Sequence, residues 1–381
     1  MPERPFSRPN SPSVRIVPRV DKVKPMQPTT EPTTTETIID HTERQRRWLR
    51  RSCWAGFVLA VAAILFVVGH PLFVRWQLRQ HGWVVDSGMY ARGRLPEWVP
   101  ELAIPWFGRI ADAKLERSVL RVNDLGSLRE FRQLESLHLI STDVSEQHLA
   151  AASQLSPIFW LWFDDVQLES SGLRHLAALP KLEVIRFGRM QFDDADLENL
   201  VPCQQITNLE FERTALTDES VRFLVQLRQL KRLELNKCGL TNRQLEHIVD
   251  CPNLYFLRIT HARITDSGLS ALSKLSSLRQ LQLHNCHITD EGAKLLAASC
   301  PNLQRLWLLD ARITDEALDE LARLPKLKDL GLWEMPITDE GILKLKSCPT
   351  LKQLHLHGTR ATVPGVAELR RSLPGLDVTL E

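Results

Sequence analysis

The stretch from Cys286 to Leu308 reads CHITDEGAKLLAASCPNLQRLWL and holds a histidine, two acids and two cysteines within fifteen residues. Such a density of ligating and titratable groups suits a metal centre or a catalytic site, unless the letters recur. They do. Variants stand at Ala262–Leu272 (ARITDSGLSAL), Ala311–Leu321 (ARITDEALDEL) and Met335–Leu345 (MPITDEGILKL), and with more drift at Thr214–Leu224 and Cys238–Ile248. Counted from the first apolar residue of an LxxLxL pattern, units start at Leu134, Ile158, Leu182, Ile206, Leu230, Leu254, Leu278, Leu303, Leu327 and Leu351. The step is 24 residues with a single 25, and ten units in phase run from 134 to about 375. LPGLDVTL reads as a closing strand at about 376–380, and Ser118–Val122 as one that opens the array.

Within a unit the apolar residues at offsets 3 and 5 alternate as in a strand, and those at offsets 15 and 18 sit one helical turn apart. Leu281 and Leu283, followed by Ala293 and Leu296, are an example. Offset 11 is Thr in seven of the ten units, and offset 12 is Asp at Asp266, Asp290, Asp315 and Asp339. Thr or Asp there can accept from the first free amides of a helix, so these acids are expected to be helix caps rather than catalysts.

LxxLxL with ITDxGLxxL and CPNL resembles leucine-rich repeats, nearest the cysteine-containing type. The resemblance covers about two thirds of the chain and implies an α/β solenoid, with parallel strands on a concave face and short helices on a convex one. Strands lie ~4.8 Å apart and helices ~8–10 Å, which bends the array toward the strands. The full layout of basic tail, one apolar span and short repeats resembles the single-pass leucine-rich-repeat proteins of some bacteria. The resemblance names no ligand.

The apolar span is Trp54–Val74, twenty-one residues without an acid, Lys or Arg. At ~1.5 Å per residue it covers the ~30 Å of a bilayer's hydrocarbon, and Trp48, Trp54, Trp76 and Trp83 mark its two interfaces. A transmembrane helix is therefore expected over 52–75. Arg44, Arg46, Arg47, Arg50 and Arg51 crowd its amino side, against Arg75 and Arg79 on the other. That bias puts the amino terminus in the cytoplasm and the repeats across the membrane. Residues 1–51 carry eleven Lys/Arg against six Asp/Glu, with a Pro/Thr-rich run that favours a disordered tail. Residues 76–117 read as a linker and cap, and 118–381 as the repeat domain. Beyond residue 51 there are thirty-seven Lys/Arg against forty Asp/Glu, so no nucleic-acid partner is expected of the body.

Cys203, Cys251, Cys300 and Cys348 each precede a strand by three residues, and Cys238 and Cys286 share offset 8. Equivalent cysteines lie two strand spacings apart, ~9.6 Å, beyond the ~7 Å reach of a disulfide. Pairs inside one unit, Cys238 with Cys251 and Cys286 with Cys300, stay open. Leu227, Leu275 and Leu324 occupy the same offset in intervening units, which favours buried free thiols.

Offsets 2, 4, 6 and 7 face the concave side. The partner-binding candidates there are Trp160 and Trp162 at one end, and Arg186, Glu210, Glu212, Glu234, Arg258 and His284 in the middle. Trp307, Leu309, Trp333, His355 and His357 form an aromatic patch at the other end. Exposed Trp favours a protein or peptide ligand. Arg186, Glu210, Glu234 and Arg258 follow one another across adjacent strands, so opposite charges pair at both ends of that ladder. His355 and His357 could chelate a metal only with a third ligand, for which Glu334 is the obvious acid, and no bound metal is expected. HExxH, GxSxG, GxxxxGK[ST] and a Gly-rich dinucleotide turn are all missing from the sequence, so neither an enzyme nor a cofactor is expected. Two alternatives remain. One is a glycan-acting enzyme using Glu210, Glu212 and Glu234; the other is a ubiquitin-ligase adaptor in which LPEWVPEL, Leu95–Leu102, stands for an F-box.

Overall fold

Leucines one unit apart line up on neighbouring strands: Leu233 is in register with Leu257, and Leu257 with Leu281. The computed structural model describes residues 83–86, 112–116, 125, 128, 134–155 and 158–380, all within one compact unit spanning 66–381. Their main feature is a thirteen-stranded sheet in which each strand lies beside its predecessor in the chain. It runs from Trp83–Asp86 to Asp377–Thr379. Only the first pair, Trp83–Asp86 with Asp112–Glu116, is antiparallel; all the others are parallel.

The sheet opens earlier than expected. Its first parallel strand is Asp112–Glu116, paired with Ser136–Ile140, not Ser118–Val122, which lies outside the described residues. Ala113 and Leu115 fill offsets 3 and 5 of a unit counted from Ile110. Alanine in the first of these places hides the LxxLxL signature. Asp377–Thr379 closes the array against Gln353–His355. Residues 52–75 and Leu95–Leu102 lie outside the described residues. Among the described residues no helix is long and apolar enough to cross a membrane.

Offsets 3 and 5 form the floor of the core: Leu257, Ile259 and Leu281 are fully buried and Leu283 almost so. Ala293 and Leu296 meet them from the helix side, also fully buried. In three consecutive units offset 5 is Phe. The rings of Phe163, Phe187 and Phe211 stack at 5.6 and 5.3 Å, with Phe192 set edge-on to Phe187 at 4.9 Å.

The acids of the TD motif do something other than the expected capping of their own helices. Asp266 accepts from the backbone N–H of Thr289 at 2.9 Å and from its hydroxyl at 2.6 Å. Asp290 holds Thr314 in the same way, Asp315 holds Thr338, and Asp339 holds Thr362. Each carboxylate thus ties its unit to the next. This explains the glycine of ITDxG, because a Cβ on Gly292, Gly341 or Gly365 would overlap the carboxylate crossing from the unit before. Threonine does cap its own helix at Thr217 and Thr362, through Ser220 N–H and Gly365 N–H. Replacing Asp315 by Ala removes two charge-assisted bonds and is expected to cost about 1.5–3 kcal/mol, read by urea denaturation. A loss no larger than that of an exposed control such as Glu340→Ala would refute the tie.

Strand exits are uniform too. Ser141, Asp165, Arg189, Arg213, Lys237, His261, Asn285, Asp310 and Glu334 all take φ between +48° and +56°. The N–H groups of the first eight donate to the last carbonyl of the next strand, and that of Glu334 to His357 just past the strand Gln353–His355, all at 2.7–3.1 Å. The left-handed conformation costs a non-glycine residue ~1–2 kcal/mol, and the extra ladder bond offsets it. Offset 7 therefore lies on the rim where strands end, rather than on the sheet face as expected.

Candidate functional site

Alternation along the strands buries offsets 3 and 5 and turns offsets 2, 4 and 6 to the open face of the sheet. The thirteen candidate residues all lie on that face or at its margin, yet they form differently bounded groups than the sequence implied.

At the amino-terminal end Trp160 is 39% exposed, beside Phe159 at 41%, which the sequence reading missed. Trp162 is half-buried instead. Its ring lies 4.9 Å from His138, and the Arg186 guanidinium sits 4.5 Å above it. The Trp162 indole N–H is buried and finds no acceptor.

In the middle the expected charge ladder is present with two additions. Arg186 reaches Glu210 at 3.5 Å and also Glu212. Glu234, 8% exposed, takes Arg258 at 3.4 Å but is held more closely by Arg232 at 2.5 Å. Arg232 comes from offset 2 of the same strand, with its guanidinium carbon 3.5 Å above the centre of the Phe256 ring. Burial pushes the Glu210 carboxyl up; Glu234 and Glu212 add to this, and Arg186 and Arg258 oppose it. Beside it a hollow of about 430 Å³ is lined by Arg186, Glu210, Arg258, His284, Lys237 and His261, among others. Leu309 lines this hollow as well as pairing with Trp333, so it joins the middle group to the aromatic one. Burial, with Arg258 and His261 nearby, pulls His284 down to about 4, and its Nε2 is buried without a partner. At neutral pH His284 is an uncharged imidazole facing the hollow.

At the carboxyl-terminal end the aromatic side chains form one packed unit. Trp307 meets Trp333 edge-on at 5.3 Å, and Trp333 stacks on His355 at 5.8 Å with 10° between planes. Gly331 makes room for this, since a Cβ there would overlap the Trp333 ring. Asp329, 4% exposed, anchors the unit: it accepts from Trp307 Nε1 at 2.8 Å and Arg305 Nε at 2.5 Å, with His355 Nε2 at 3.5 Å. The freely exposed Trp expected here is therefore corrected. Both rings are half-buried because they pack on each other. Asp329 and Arg305 stand at offset 2, a face-directed position whose charges signalled them but whose pairing needs the fold.

His355 turns to Thr379 and Asp329, whereas His357 turns to Glu334 at 3.8 Å, so the two rings do not converge on one point. Among the described residues no group of three or more His, Cys, Asp or Glu could hold a metal ion. Cys203, Cys238, Cys251, Cys286, Cys300 and Cys348 are buried and free, which decides against the two pairings left open. Burial pushes the thiols of Cys203, Cys238, Cys251 and Cys300 up to about 12, far from a nucleophile's range.

No curated protein matches the chain. Among solved structures it is similar to an internalin from Listeria monocytogenes, at 18% identity and TM-score 0.47, over 70% of this chain and 86% of that one. It is also similar to internalin C2 from the same organism, at 26% identity and TM-score 0.37, over 50% and 84% of the two chains. The family model described as Leucine Rich repeat matches residues 250–273 and 274–297. With those two units in register with their neighbours along the parallel part of a single sheet, the fold is a leucine-rich-repeat solenoid.

Proposed function

We propose that this protein is a non-catalytic recognition module that holds a protein or peptide partner on the concave, strand-bearing face, tethered to a membrane through residues 52–75. The amino terminus then lies in the cytoplasm and the repeats on the opposite side. The observation that carries the binding reading is the packed unit of Trp307, Trp333 and His355. Aromatic rings already fixed against one another and still partly open to solvent lose little entropy when a partner covers them, as binding hot spots require. The uncharged Trp54–Val74 run and its arginine bias support the tether. The carboxylates that a glycan-acting enzyme would need are engaged by arginines, Glu210 and Glu212 by Arg186 and Glu234 by Arg232, so the structural account is the better one for them.

The test is a photo-crosslinker placed at Gln353, exposed on the open face beside the aromatic unit, and, as control, at Arg370 on a helix. A protein captured from the first position only, and lost by about tenfold or more in Trp307→Ala/Trp333→Ala with the circular dichroism retained, is the expected result. Equal capture by the double variant would remove the aromatic unit from the binding site.

A further inference from the structure

Seven exposed basic or imidazole side chains follow one another along the rim where the strands end. Arg189, Arg213, Lys237 and His261 hold the left-handed position after four consecutive strands. Arg263, His287 and Arg312 carry the line onward two residues later, starting in the unit of His261. Their backbones are pinned. Each makes a parallel bridge, to Thr241, Thr265 and Thr289 respectively, and each donates its N–H to a carbonyl of the preceding unit. Within each run successive residues therefore stand one strand spacing apart, ~4.8 Å, and the two runs, which overlap in the unit of His261 and Arg263, cover six units, a line of ~24 Å.

Arg189 already pairs with Asp164 at 2.7 Å. Among the described residues the side chains of Arg213, Lys237, Arg263 and Arg312 have no hydrogen-bond or ion-pair partner. Like charges set side by side repel, and among the described residues no ion pair beyond that of Arg189 relieves them, so an external anion would be drawn here. The strip is also bounded. Asp165 precedes it in the left-handed row and Glu334 follows one unit beyond Arg312, while Asp310 stands beside Arg312 in the last unit, held by Asn285. A duplex or a membrane plane reaching past either end would press phosphates against those acids. An extended peptide at ~3.3 Å per residue spans the strip with about seven residues and stops short of Asp165 and Glu334.

We infer that this rim docks a short acidic segment of a protein partner. Lys237 and His261 also line the 430 Å³ hollow, so a side chain of that segment can enter it. The strip shares no residue with the aromatic unit, and the two surfaces can be tested apart.

The experiment measures fluorescence anisotropy of a fluorescein-labelled octapeptide of alternating Asp and Glu with the full chain. Binding is expected at low ionic strength, weakening roughly tenfold when the Debye length falls from ~30 to ~8 Å. Arg213→Glu/Lys237→Glu and Arg263→Glu/Arg312→Glu should each weaken it about tenfold or more, since each pair reverses two of the strip's charges. Reversing Lys326 and Lys346, exposed cations elsewhere, should leave it unchanged, as should Trp307→Ala/Trp333→Ala. Absence of binding at low salt, or equal loss on reversing Lys326 and Lys346, would overturn the inference. Tighter rim-dependent binding of a single-stranded oligonucleotide or of phosphatidylserine vesicles would do the same.

Discussion

Asp329→Ala is expected to destabilise the carboxyl-terminal part of the solenoid by about 3–5 kcal/mol, the cost of removing one partner from a buried charged network. Asp329 is almost fully buried and serves three side chains at once: Arg305, Trp307 and His355. Alanine takes the acceptor from the half-buried indole N–H and leaves the partly exposed guanidinium with only Gln280. Asp329→Asn keeps one carbonyl oxygen and should fall between the variant and the wild type. Urea denaturation followed by Trp fluorescence gives both numbers, because Trp307 and Trp333 report on this end. A loss below about 1 kcal/mol for the alanine variant would mean that the carboxylate is an ornament of the aromatic unit rather than its anchor.

The second large effect lies at the other end of the array. Phe187 is fully buried, with rings on both sides at 5.6 and 5.3 Å and Phe192 on its edge. Phe187→Ala removes most of a ring's volume from a core that cannot close around the gap, an expected loss of about 3–5 kcal/mol. Phe187→Leu should cost much less, about 1–1.5 kcal/mol, because the same offset is Leu in Leu235, Leu283, Leu308 and Leu332. The order Ala far below Leu, measured by denaturation, checks the claim that offset 5 is one continuous spine. Equal losses would show that the aromatic stacking itself matters, beyond volume.

How much of this was legible before any coordinates is plain from individual residues. The register of Leu233, Leu257 and Leu281 follows from a 24-residue period alone, since an apolar flank repeated at fixed phase can be covered only by its neighbour. So does the placement of Trp307, Trp333, Glu210 and Arg258 on one face, which strand alternation dictates. Asp315 was legible as a structural residue but not in its role. Local chemistry offers a helix cap, and only stacking brings Thr338 within reach of it and explains Gly341.

Periodicity, then, determined the solenoid, its phase and the identity of its exposed face, because those depend on where apolar residues recur along the chain. Tertiary structure decided what the polar letters do. It set Asp329 under Trp307, gave Glu234 to Arg232 as well as Arg258, and aligned Arg213, Lys237, Arg263 and Arg312 on a rim without partners. The physical reason is reach. Apolar burial is non-directional and scales with area, so a pattern suffices to specify it, whereas a hydrogen bond or ion pair depends on a few tenths of an ångström between residues that are twenty or more positions apart.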